Sequence, residues 1–99
     1  MTTDIVLPSE RIQGFCRRHG IRRLSLFGSV LRADFRPDSD VDVLVEFKAG
    51  LRLGLLGLAR IEAELSELIG RKVDLRTPQD LSPYFRDEIV RTAVTQYAA

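Results

Sequence analysis

The sequence predicts an α/β fold of the α+β type, a small mixed sheet with packed helices in the order α-β-α-β-α-β-α. Three observations lead there. Short runs of alternating apolar and polar residues are interleaved with longer runs whose apolar residues recur at helical spacing. Gly, Pro and Ser mark most of the junctions between them. The 99 residues, 44% apolar and 29% charged, suit one modest core, because a chain of this length buries only about two-thirds of its unfolded surface. A single domain over 1–99 is expected, with no internal repeat and no low-complexity segment.

Pro8 or Ser9 opens a first helix, which Gly20 ends, and Ile12, Phe15, Cys16 and His19 fall at the i, i+3, i+4, i+7 spacing of a buried stripe. A short strand follows over 23–27, with Leu24 and Leu26 on one face. Gly28-Ser29 breaks it, and Val30, Leu31 and Arg32 are placed at the start of a further helix. Residues 33–39 are polar, contain Pro37 and read mainly as loop. The clearest strand is 40–47, where Val41, Val43, Val45 and Phe47 share one face and Asp40, Asp42, Leu44 and Glu46 the other. A long helix lies within 50–70, with Leu55, Leu58, Ile61, Leu65, Leu68 and Ile69 at helical spacing. Gly54 and Gly57 weaken its start, so its firm part begins at Leu58. A third strand occupies 71–76, Val73 and Leu75 facing away from Asp74. Ser82-Pro83 supplies the N-cap and first turn of a last helix whose apolar positions are Phe85, Ile89, Val90, Ala93 and Tyr97.

Composition narrows the function classes. A net charge of +1 creates no overall field toward nucleic acid or membrane. Cys16, the sole cysteine, has no partner for a disulfide within the chain, which fits a reducing compartment. The start carries Asp4 where a secretory leader has positive charge, and no apolar stretch nears the ~20 residues a bilayer span needs. A soluble, cytoplasmic protein is expected. His19 is the only histidine, so a metal site built on histidines is excluded. Arg17, Arg18, Arg22 and Arg23 cluster around the end of the first helix, as a solvated face or as a docking patch. They lack the interleaved aromatics of single-strand binders, so direct nucleic-acid binding is not expected.

Three features carry chemistry. Asp40 and Asp42, two apart on a strand, send both carboxylates from one face with backbones about 6–7 Å apart. Like charges so placed call for a cation, and magnesium suits them because it takes oxygen ligands and keeps positions open for phosphate and water. On spacing alone, two solvated acids of a strand edge remain the alternative. Gly28-Ser29 stands where a strand gives way to a helix; glycine lets a phosphate approach the backbone and Ser29 adds a hydroxyl donor. An ordinary turn is the alternative. Asp74 completes a carboxylate cluster if its strand neighbours that of Asp40 and Asp42.

Gly28-Ser29, ten intervening residues, then Asp40-Val41-Asp42 resembles the G-S-x10-D-x-D pattern of the polymerase-β-like nucleotidyltransferases. The flanking residues Phe27 to Arg32 and Arg36 to Asp40 resemble the minimal nucleotidyltransferases (MNT) in particular, and Asp74 in Lys72-Val73-Asp74-Leu75 matches the family's third carboxylate. The resemblance implies the nucleotidyltransferase fold over nearly the whole chain. It further implies that Asp40, Asp42 and Asp74 are the catalytic and metal-holding residues for two Mg²⁺ ions, with ATP as substrate. Gly28 and Ser29 would bind the outer phosphates, and Arg32 would neutralise phosphate charge, although Ala33 replaces the glycine many relatives have next to it. Asp74 would also assist deprotonation of an acceptor hydroxyl. Minimal members pair with a HEPN-domain toxin as its antitoxin and transfer AMP to a tyrosine of that partner, which implies a hetero-oligomer. A binding module that neutralises its partner by contact is the competing reading. Transfer to a small molecule such as an aminoglycoside is disfavoured, because relatives of that kind carry an additional acceptor domain.

Overall fold

The computed structural model describes residues 7–28, 40–51 and 53–99. Pro8, extended at φ −73°, leads into helix α1 (Ser9–His19), and its carbonyl accepts the Ile12 amide at 2.9 Å. Gly20 closes α1 in the left-handed region at φ 68°, returning its N–H to the Cys16 carbonyl. Arg17, Arg18 and His19 occupy the last turn, where cations favour the carbonyl end of a helix. The stripe of Ile12, Phe15 and Cys16 is fully buried.

The chain then enters β1 (Ile21–Phe27), which runs antiparallel to β2 (Val41–Phe47). Helix α2 (Leu55–Ile69) crosses back, and Gly70, at φ 79°, turns the chain into β3 (Val73–Arg76), parallel to β2. A 3-10 turn (Pro78–Asp80) and a short helix α3 (Arg86–Thr92) lead to β4 (Val94–Ala98), antiparallel to β1. The sheet order is β3-β2-β1-β4. A parallel neighbour needs a crossover, and α2 provides it.

Both long helices cover one face. Ile12, Phe15, Cys16, Ile61 and Leu65 pack against Ile21, Leu24, Leu26, Val41, Val43, Val45 and Val73. Strand alternation sends Phe27, Asp42 and Asp74 to the second face. Leu44 and Ser25 lie on that face too yet are almost fully buried, so it is not open along its whole length. Among the described residues no helix is long and apolar enough to cross a membrane.

The expected α/β class and the three expected strands are present. The C-terminus differs: the last helix stops at Thr92, and Tyr97 lies on β4, half-buried opposite Leu24. Pairing with β1 outweighs the i, i+4 spacing of Ile89, Ala93 and Tyr97, and the β-branched Val94 and Thr95 favour a strand. Phe85 and Val90, expected as packed positions, are exposed. Leu51, Leu53, Leu55 and Leu56 are exposed as well, Leu55 at 86%. The helix expected to open at Val30 and the loop over 33–39 lie outside the described residues.

Candidate active site

The register of the sheet builds the site. Phe27 pairs with Asp42 across β1–β2, and Asp42 pairs with Asp74 across β2–β3. Parallel neighbours are about 4.8 Å apart, so Asp42 and Asp74 stand side by side on one face. Asp40 precedes β2 by one residue, and the Val41 amide donates to the Lys72 carbonyl at 2.9 Å, which fixes where the two strands begin together.

Gly28 follows Phe27 directly and has φ 72°, in the left-handed region. The Asp42 carboxylate lies against it so closely that a Cβ on Gly28 would overlap Asp42 Oδ2. The glycine therefore has two independent reasons to be there, its backbone conformation and the space Asp42 takes. Ser29 and Arg32, expected to bind phosphate, lie outside the described residues.

Basic side chains alternate with the acids. Arg76 Nε is 3.2 Å from Asp74 Oδ1, and Arg76 Nη2 donates to Asp74 Oδ2 at 3.3 Å. Lys72 Nζ is 4.0 Å from Asp40 Oδ2, with its own side chain 80% exposed. Among the described residues no three His, Cys, Asp or Glu side chains converge as a metal-holding group; Asp40 leans to Lys72 and Asp74 to Arg76. The acids Asp40, Asp42 and Asp74 nonetheless offer an oxygen-only donor set, the class magnesium takes while keeping sites for phosphate and water. The residues fit the ion.

Lys72 and Arg76 were not singled out in the sequence, although Lys72, Asp74 and Arg76 follow the i, i+2 rule that places them on one strand face. Glu62 and Ser66 of α2 were also missed: their side chains accept the Leu75 and Val73 amides at 2.8 and 3.0 Å. No local spacing announces a bond across the helix–strand junction.

Other groups take structural parts. Burial raises the Cys16 thiol from its ordinary 9.0 to about 11, so it stays protonated in the core. His19 Nε2 lies 3.1 Å from Glu64 Oε1, which ties α1 to α2, and its ring packs at 4.8 Å from that of Phe15 within α1. A groove of about 610 Å³ between these helices is lined by Arg11, Phe15, Arg18, Glu64 and Glu67. It contains none of the three aspartates, and its Arg18 and Glu64 already bind each other at 2.5 Å.

A family model described as a nucleotidyltransferase domain matches residues 9–94. A protein of Methanocaldococcus jannaschii, named provisionally as a protein adenylyltransferase, is 42% identical over 77 residues, 78% of this chain and 81% of its own length. The protein adenylyltransferase MntA of Thermococcus cleftensis is 35% identical over 77 residues, covering 78% of this chain and 76% of its own. A solved structure named provisionally as a minimal nucleotidyltransferase superposes with TM-score 0.71 at 40% identity, covering 87% of this chain and 86% of that one. Chains from two toxin–antitoxin structures share the fold. One, crystallised with AMP-PNP, gives a TM-score of 0.74 at 19% identity, covering 94% of this chain and 75% of its own. The other, a tri-AMPylated Shewanella oneidensis HEPN toxin with its MNT antitoxin, gives 0.64 at 17%, covering 92% and 70%. The three aspartates thus stand on a scaffold that a nucleotidyltransferase domain model covers over residues 9–94, and the chain belongs to the nucleotidyltransferase domain family.

Proposed function

We propose that this chain is a magnesium-dependent protein adenylyltransferase that moves AMP from ATP to a tyrosine hydroxyl of a HEPN-domain partner, acting as its antitoxin in the cytoplasm. One observation carries the reading: the register that sets Asp42 beside Asp74, with Gly28 pressed against Asp42. The names of its relatives support it, and residues 1–99 would serve as one minimal domain.

Asp40, Asp42 and Asp74 are the groups that would hold magnesium, two ions by family resemblance. Held there, magnesium would supply positive charge to the triphosphate and to the two oxygens exchanged at the α-phosphorus. The exposed Asp40–Lys72 pair at 4.0 Å is itself worth no more than about 1 kcal/mol. By the family resemblance, Gly28 and Ser29 would bind the outer phosphates and Arg32 would balance their charge. Asp74, its orientation held by Arg76, takes the proton of the attacking hydroxyl. The new bond joins that oxygen to the α-phosphorus; the bond to the β-phosphate oxygen breaks, and pyrophosphate leaves.

A partner docks on protein surface, and Leu55, Leu56 and Tyr84, each more than 80% exposed, are available for contact. Those same residues suit the second reading, neutralisation by contact alone. The intact mass of the co-purifying partner separates the two, measured after incubation with Mg²⁺ and each of the four nucleoside triphosphates. Whole AMP increments with ATP, lost in the double variant Asp40→Asn, Asp42→Asn, are expected. A partner that stays bound at unchanged mass with every nucleotide would favour contact alone.

A further inference from the structure

We propose that Glu62 and Ser66 are positioning residues for Asp74, a two-point clamp from α2 that sets the depth of β3 in the sheet. The inference rests on the metal-holding role proposed for Asp74 and deepens it. Strand β3 has four residues and, among the described residues, lies at the sheet edge with β2 as its one strand neighbour. An edge strand turns alternate N–H groups outward, where they have no ladder partner. On β3 those are Val73 and Leu75, which flank Asp74. The Val73 amide donates to Ser66 Oγ at 3.0 Å and the Leu75 amide to Glu62 Oε2 at 2.8 Å.

The match is one of lengths. One helical turn from Glu62 to Ser66 rises about 6.0 Å. Two strand residues from Val73 to Leu75 span about 6.6 Å. Gly70 reverses the chain between α2 and β3, so the order of the partners is crossed, Glu62 to Leu75 and Ser66 to Val73. Ser66 is itself fixed, donating its hydroxyl proton to the Glu62 carbonyl at 2.8 Å. Glu62 provides the stronger anchor, because an ionised acceptor makes roughly twice the bond a neutral one does. Both side chains are half-buried, and neither belongs to the acid cluster. Without them, β3 is held by its ladder to β2 and core packing alone, and Asp74 sits less tightly beside Asp42.

Two readouts test the clamp: amide exchange of Val73 and Leu75 in the metal-free protein, and the affinity for Mn²⁺ with a non-hydrolysable ATP analogue. Glu62→Leu is expected to speed Leu75 exchange at least tenfold and to weaken Mn²⁺ binding about tenfold, whereas Glu62→Gln, which keeps an acceptor, stays within threefold of the unsubstituted protein. Placed on Asp74→Asn, Glu62→Leu should add no further loss of Mn²⁺ affinity, since it acts through Asp74. Ser66→Ala, a smaller change, gives the same test at Val73 should Glu62→Leu fail to fold. The clamp is overturned if Asp42→Asn and Asp74→Asn lose Mn²⁺ while Glu62→Leu or Ser66→Ala keeps both amide protection and affinity. Full Mn²⁺ affinity in Asp42→Asn and Asp74→Asn would instead overturn the metal-holding reading itself.

Discussion

Gly28 is the residue at which backbone and site meet most tightly. Its φ of 72° costs an L-residue roughly 1–2 kcal/mol, and a Cβ there would displace the Asp42 carboxylate. Gly28→Ala is therefore expected to lower stability by at least that amount in urea unfolding. It should also reduce AMP transfer at least a hundredfold, because small misplacements of reacting groups are that costly. Cys16 supplies a pH test of the core. Its folded pKa, raised to about 11 by burial, lies above the unfolded value, so the folded state binds the proton more tightly. Stability from this group is complete below about pH 9 and is lost between about 9 and 11. Between pH 8 and 10 the unsubstituted protein should lose about 1 kcal/mol relative to Cys16→Ala, measured by urea unfolding of both. At this scale the sequence is most legible where chemistry sets spacing. Gly28, Asp40, Asp42 and Asp74 stand out by residue type and interval together, as the proposed phosphate approach and metal holding would require. Glu62 and Ser66 do not, since their partners lie across a junction that only the folded chain closes.

Among the elements, the helices end where glycine ends them: Gly20 and Gly70 both close in the left-handed region, and both boundaries were visible in advance. Strand β2 was equally plain, because four apolar residues alternate with acids over one buried face. Strand β4 was hidden. Residues 86–97 satisfy a helical spacing and 94–97 a strand pattern at once, and pairing to β1 decides between them. Tyr97 and Tyr84 distinguish the outcomes. Tyr97 packs on the core from β4, while Tyr84 is 92% exposed. Tyr97→Ala should cost about 1–3 kcal/mol and Tyr84→Ala under about 0.5, by thermal or urea unfolding. Equal effects would deny β4 its place against β1. The exposed start of α2, with Leu55 and Leu56 outside the core, was not legible, since helical periodicity gives a stripe but not the point where the stripe leaves its sheet.

For the molecule as a whole, length, composition and element types point to one mixed layer of sheet and helices. The lateral order β3-β2-β1-β4 was not readable, because neighbouring strands are chosen by long-range packing. That order matters for function. It makes α2 a crossover, lays β3 parallel to β2, and so carries Asp74 from 32 positions further along the chain to a place beside Asp42. One side of the sheet supplies the core and the other carries the acids, so the face that stabilises the fold and the face proposed for chemistry are separate. We propose that this parallel register makes a metal-holding site for nucleotide transfer. A crystal structure with Mn²⁺ and a non-hydrolysable ATP analogue, read by its anomalous difference density, tests it most directly. Density bounded by the carboxylates of Asp40, Asp42 and Asp74, with the triphosphate toward Gly28, is the expected result. Mn²⁺ bound away from these three aspartates, or nucleotide bound with none of them at its phosphates, would contradict it.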